Sequence, residues 1–220
     1  SLLLSALAGT GVQVPTTTQP TQQATTTQQA TTTAATTEGV LTAERNSDPV
    51  SNVPLREGET ANVLGIRLRA TQGDVTVQRL RVNWPTTAEA PFRVLSKVEL
   101  VDQDGNVLFS SNVTSNEGQP FYREPNGQYY LLVTGLNFVV PKDTVKVLYL
   151  RATAVSTYPS SVTGAITLTV PSGGIRAVTA GGSVNLFEPQ ASNPITNSFL
   201  PQGTLAGSAA LSVVRTSDTP

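Results

Sequence analysis

The chain has 220 residues, of which 38% are apolar and only 13% charged, against a usual charged share of roughly 25%. That length and apolar content suffice to bury the core of one good-sized domain with appendages. The net charge of −1 argues against general attraction to nucleic acid or to anionic membranes.

Three residue types are missing: the chain has no Cys, no His and no Met. The commonest general base, the thiol nucleophile and the usual zinc ligands are therefore absent. Serine and cysteine triads of the familiar kind cannot be built. Thr, Ser, Asn, Gln and Gly replace the missing charge, a composition suited to solvated sheet faces and polar loops. Lacking thiols and thioethers, the chain resists oxidation and folds without an oxidising partner, as suits an extracellular bacterial protein. These absences predict a non-catalytic protein with no catalytic residue, no cofactor and no metal site.

Residues 1–14 form an apolar N-terminal segment. Leu2, Leu3, Leu4 and Leu7 would share one helical face, with Gly9 ending the helix. Ala6-Leu7-Ala8 resembles a signal-peptidase site, but the charged n-region is missing and the run is too short to span a bilayer. Three readings stay open: a helical tail of an upstream domain, a segment docked on a partner, and a signal remnant.

Residues 15–37 read as a linker or stalk. Positions 16–37 hold twelve Thr, five Gln, four Ala and one Pro, with no charge. Such a run cannot bury a core, and its β-branched residues oppose helix. Extended, it would reach about 70 Å at roughly 3.1–3.3 Å per residue. Thr clusters beside Pro also suit O-glycosylation, with 16–18, 25–27 and 31–33 as carriers; a plain flexible spacer is the alternative.

From residue 38 to 188 the pattern becomes short strands separated by turn signals. Leu64-Gly-Ile66-Arg-Leu68, Leu80-Arg-Val82-Asn-Trp84 and Val94-Leu-Ser-Lys-Val98-Glu-Leu100 alternate apolar and polar, and Ile166-Thr-Leu168-Thr-Val170 does so most cleanly. Residues 129–133 and 145–150 are apolar on both phases and predict central strands. Asp102-Gln-Asp104-Gly105-Asn106 predicts a hairpin turn, with Gly105 and Asn106 free to take positive φ. Pro85, Pro91, Pro125, Pro141, Pro159 and Pro171 fall at strand ends. No window of helical length has a 3.6-residue period. The prediction is all-β: an antiparallel two-sheet Ig-like sandwich with an extended Thr/Gln-rich N-terminal segment. Leu80, Val82, Trp84, Val98, Leu100, Leu148, Ile166 and Leu168 should face inward.

Residues 189–207, rich in Pro and small polar residues, read as a linker. Residues 208–220 read as the first strand of a second repeat or an assembly strand. Leu211, Arg215, Ser217 and Asp218 repeat the spacing of Leu41, Arg45, Ser47 and Asp48.

Few residues suggest chemistry. Asp102, Asp104 and Asn106 have the opening spacing of a calcium loop, but Gly105 is misplaced for one, no closing Glu follows, and the hairpin accounts for all three. The fifteen carboxylates include no pair marked out as acid and base, and many sit in turns (Asp48, Glu57, Asp74, Glu117, Asp143). Arg67, Arg69, Arg79 and Arg81 alternate with core residues on sequential strands. They read as a solvated face paired with nearby Glu, or as a basic stripe for an acidic cell-wall polymer or surface glycan. Trp84 follows the inward phase, so it packs in the core, while Phe121, Tyr122, Tyr129 and Tyr130 flank turns. Asn112-Val-Thr114 is an N-glycosylation sequon.

Two runs carry a resemblance. Gly58-Glu-Thr-Ala-Asn-Val-Leu-Gly-Ile-Arg-Leu-Arg-Ala-Thr-Gln-Gly-Asp-Val-Thr-Val-Gln-Arg-Leu-Arg-Val82 is similar to β-sandwich repeat modules of large cell-surface proteins of ultrasmall bacteria. So is Tyr129-Tyr-Leu-Leu-Val-Thr-Gly-Leu-Asn-Phe-Val-Val-Pro-Lys-Asp143. In those surface-layer-like, peptidoglycan-anchored proteins, a wall-binding module and a Thr/Ser-rich linker often precede the repeats. No such wall-binding module is visible here, and no functional residue comes with the resemblance. It implies an extracellular structural subunit of a surface layer, filament or stalk that self-associates with identical subunits. The alternative is an adhesin or carbohydrate-binding module. No nucleic-acid partner and no membrane span are expected.

Overall fold

The computed structural model describes residues 38–115, 120–180, 182 and 184–203. The apolar 1–14 segment, the Thr/Gln-rich run with its glycan carriers, Glu117 and the 208–220 strand lie outside the described residues.

Strands dominate. The first half holds β1 (Val40–Arg45), β2 (Val53–Arg56), β3 (Thr60–Thr71), β4 (Val75–Asn83), a single helical turn α1 (Pro91–Val94), β5 (Leu95–Asp102) and β6 (Val107–Asn112). The second holds β7 (Phe121–Arg123), β8 (Tyr129–Val140), β9 (Val145–Ala154), β10 (Ile166–Val170), β11 (Ile175–Thr179), β12 (Asn185–Glu188) and β13 (Ile195–Gln202).

They form an Ig-like sandwich of two sheets. One is five-stranded in the order β1-β3-β9-β5-β6. The other has eight strands: β12-β11-β4-β10-β13-β2, with β8 on the far side of β4 and β7 beyond β8. Every pairing between named strands is antiparallel except β13 with β2, which is parallel. β10 and β11 follow each other along one edge of β4. Pro171-Ser-Gly-Gly174 breaks the run between them, and the Gly174 carbonyl there accepts from Arg81 N at 2.8 Å.

Alternation decides which side chains fill the space between sheets. All eight residues expected inward are buried, none more than 3% exposed. Burial of each large apolar side chain contributes about 1.5–3 kcal/mol. Trp84 sits at the centre, edge-on to Phe121 at 5.7 Å and tilted against Phe199 at 6.1 Å. Its indole N–H is satisfied by the Glu89 carbonyl at 2.8 Å.

Three expectations need correction. The domain does not end at 188: β13 is an internal strand between β10 and β2, and buries Ile195, Asn197 and Phe199. Of the expected 189–207 linker, residues 195–202 are therefore sheet. Residues 145–150 lie in a central strand, and so do 129–131, between β4 and β7, but 132–133 and the rest of β8 have β4 alone as a strand partner. In the β5–β6 turn Gly105 takes φ 86°, while Asn106 is not among the residues of positive φ.

Candidate functional site

The four arginines of the expected stripe separate. The connection at 72–74 passes from the five-stranded sheet to the eight-stranded one instead of closing a hairpin. Arg67 and Arg69 consequently lie on the outer face of one sheet, and Arg79 and Arg81 on that of the other. Arg67 pairs with Glu44 across β1 and β3.

The outer face of the eight-stranded sheet brings together groups that sequence order does not. β4 bulges at Gln78, and register shifts against both β8 and β11 at this point. Val77 and Leu80 stay buried, so Gln78 and Arg79 both leave the inward phase. Re-aiming of side chains is a usual consequence of a bulge. Arg79 then lies opposite Thr134 of β8 and Arg176 of β11, and Arg176 lies opposite Phe187 of β12. Phe187 is 49% exposed. The Arg176 guanidinium donates twice to Asn185 Oδ1, at 3.0 and 2.8 Å. Arg79 Nε is buried and has no hydrogen-bond partner among the described residues.

Two residues along β4, Arg81 is fully engaged. It meets Glu124 at 2.5 Å, donates to Asn83 Oδ1 at 2.9 Å and lies 4.1 Å over the Tyr130 ring. Tyr122 stacks on Tyr130 at 5.6 Å, with 20° between the planes. The Tyr130 ring therefore packs against both Tyr122 and Arg81. Further along the same face, Asn83, Trp84, Pro85, Gln128, Thr167 and Thr169 line a hollow of about 250 Å³.

The remaining candidates hold structure. Asp102 accepts from the N–H groups of Asp104 and Asn106 and from Asn106 Nδ2, at 2.8–2.9 Å. Its pKa is lowered, chiefly by the Asn106 side chain, and its oxygens serve the turn. Glu99 is buried between Lys97 and Arg151, each at 2.8 Å. The Lys97 hydrogen bond lowers its pKa most, against the opposing cost of burial, with Arg151 adding to the effect. Burial, with Glu57 and Glu59 nearby, pushes the Tyr158 phenol up to about 12; its hydroxyl donates to the Leu55 carbonyl at 2.9 Å. A groove of about 410 Å³ between β1 and the β12–β13 connection includes Arg45 and Glu188. Arg45 is spent on Asn197 and Pro49, and Glu188 accepts from Gln190. Among the described residues no three potential metal ligands of the His, Cys, Asp and Glu types come together. None of their helices is long and apolar enough to cross a membrane.

No family model and no curated protein matches this chain. Solved structures do align with it. An enzyme, AvmM, that catalyses macrocyclization in alchivemycin A biosynthesis aligns at 11% identity and TM-score 0.38, over 76% of this chain and 90% of that one. A chain from a complex of a CaDoc0917 variant with CaCohA2 aligns at 13% and 0.34, over 74% and 100%. ACE19, the collagen-binding subdomain of an Enterococcus faecalis surface protein, aligns at 6% and 0.25, over 74% and 95%. At these TM-scores the likenesses carry no argument about function.

One edge of the sandwich differs from the others. β6 pairs with β5 on one side and with no described strand on the other. Its sequence, Val-Leu-Phe-Ser-Ser-Asn, has neither charge nor Pro, and Val107 and Leu108 are exposed at 50% and 36%. The other edges carry the usual blocks. β1 has Glu44 and Arg45, β2 has Pro54, β7 and β12 are three and four residues long, and β8 is kinked at Gly135.

Proposed function

We propose that this chain is a non-catalytic, extracellular structural module that associates with identical copies in a surface layer, filament or stalk, and that β6 is the accepting edge. The observation that carries this is the unblocked, apolar edge of β6. Edge strands offer rows of N–H and C=O groups, and natural proteins block such edges unless they use them. A strand from a neighbouring copy would pair with these groups, while Val107 and Leu108 fix its register. Residues 209–215 supply the fitting donor pattern, with Leu211 and Val213 on one phase. A stalk at 15–37, glycosylated or bare, would hold the module away from its anchor.

A non-catalytic role is supported by what the carboxylates do. Glu44, Glu59, Glu89, Glu99 and Glu124 each meet a Lys or Arg. Asp74, Asp102 and Glu57 accept backbone N–H groups. The test is sedimentation velocity with electron microscopy on the full chain, on Leu108→Lys and on a deletion of 208–220. The full chain should form ordered, concentration-dependent assemblies, and both variants should stay folded and monomeric. Native-like assemblies from both variants, or a full chain that never associates, would overturn the proposal.

A further inference from the structure

We infer that the outer face of the eight-stranded sheet holds a binding site for the carboxylate groups of an acidic glycan, with Arg79 and Arg176 as its anion-recognising pair. These two side chains stand opposite each other on neighbouring strands. Like charges so placed repel, and sheets normally avoid the arrangement or set a carboxylate beside it. Arg56, Arg67, Arg81, Arg93 and Arg151 each meet a Glu. Arg79 and Arg176 have no ion-pair partner among the described residues. Arg79 Nε, like Arg56 Nε, is also buried without a hydrogen-bond partner, a desolvated donor that costs stability.

The local backbone is arranged around this pair. The bulge at Gln78 turns Arg79 out beside Gln78, and Asn185 holds the Arg176 fork in one plane. A planar, pre-oriented guanidinium matches a carboxylate through two parallel N–H···O bonds. The surroundings favour a sugar over other bearers of carboxylate. Phe187 offers an exposed ring beside Arg176, and Thr134 a hydroxyl beside Arg79. Along β4 the face ends in a hollow lined by Asn83, Gln128, Thr167 and Thr169 together with Trp84 and Pro85. The surface is an open sheet and the net charge is −1, so attraction is local to the patch and not spread over the molecule.

The test is calorimetric titration of the full chain with polygalacturonate at two salt concentrations, with dextran, polyphosphate and a single-stranded oligonucleotide as comparison polymers. Polygalacturonate should bind, and more weakly at the higher salt. Arg79→Gln and Arg176→Gln should each weaken it about tenfold, the loss of one charge-assisted hydrogen-bonded contact. Arg67→Gln, on the opposite face, should leave binding unchanged. Arg176→Gln keeps the test decisive if Arg79→Gln fails to fold, as judged by Trp84 fluorescence. Equal binding of dextran, tighter Arg79-dependent binding of polyphosphate or the oligonucleotide, an equal loss in Arg67→Gln, or no binding at low salt would each overturn the inference.

Discussion

Asn197 offers a direct test of how the two sheets are joined. It lies in β13, is 2% exposed, and its side chain ties that strand to three other parts of the chain. Its oxygen accepts from Arg45 Nε at 3.0 Å and Ser51 Oγ at 3.2 Å. Its amide nitrogen donates to the carbonyl of Val63 at 2.9 Å, and at longer range to those of Pro49 and Val50. Asn197→Ala removes three good hydrogen bonds, worth about 1 kcal/mol net each. Arg45 and Ser51 lie near enough to the surface to regain water. The carbonyl of Val63, a residue of 0% exposure, does not, which adds about 1 kcal/mol. The expected loss is about 3–4 kcal/mol. With a urea m-value of about 2 kcal/mol/M, the unfolding midpoint should fall by about 1.5–2 M. Trp84, the only Trp, reports the transition by its fluorescence. A midpoint shift below about 0.5 M would refute the view that this polar hub joins the sheets.

Ending the chain at residue 188 should prevent folding, because β13 and Phe199 are lost, whereas ending it at 203 should leave a cooperative unfolding transition; circular dichroism distinguishes the two. Trp84→Ala should cost about 3–5 kcal/mol in the same urea assay, through the cavity left between Phe121 and Phe199. The Tyr158 phenol has a higher pKa folded than its ordinary 10.0, so its contribution is complete below pH 10 and fades towards pH 12; Tyr158→Phe should flatten that alkaline slope. Glu99 has a lowered pKa, so its contribution is complete above its ordinary 4.5 and is lost as pH falls through the lower folded value; Glu99→Gln should flatten the acid slope. Gly65→Ala should lower the urea midpoint at every pH, since its Cβ would overlap the Asp48 carbonyl oxygen.

The sandwich was legible because alternation reports burial directly. In Ile166-Thr-Leu168-Thr-Val170 each apolar residue is buried and neither Thr is. β13 escaped the same reading for two local reasons. Its inward Asn197 breaks the apolar phase, a cost offset only by partners distant in sequence. Pro201 then suggests a loop, although β13 tolerates it in the stretch paired parallel with β2. The arginine pair escaped for a topological reason. A three-residue connection looks the same whether it closes a hairpin or crosses between sheets, so Arg67 and Arg79 appeared to share a face. Arg176 lies almost a hundred residues beyond Arg79, and only the β4–β11 register brings them together. One signal was available: Ile175-Arg-Ala-Val alternates and places Arg176 on an outward phase.

The edge and the face belong to different sheets, and this separates the two proposed activities physically. A strand added to β6 extends the five-stranded sheet in its own plane, through main-chain hydrogen bonds that run sideways from the edge. The guanidinium pair stands on the outer face of the other sheet, on the far side of the core from the five-stranded one. Strand addition therefore consumes no surface that the anion site requires, and a bound glycan blocks no N–H or C=O group of β6. In the proposed assembly the site would recur once per subunit. Sites too weak to hold a polymer singly then act together, because the second contact on the same chain is intramolecular. A modest patch of two arginines would suffice in that setting, where an isolated domain would have reason to neutralise a like-charged pair.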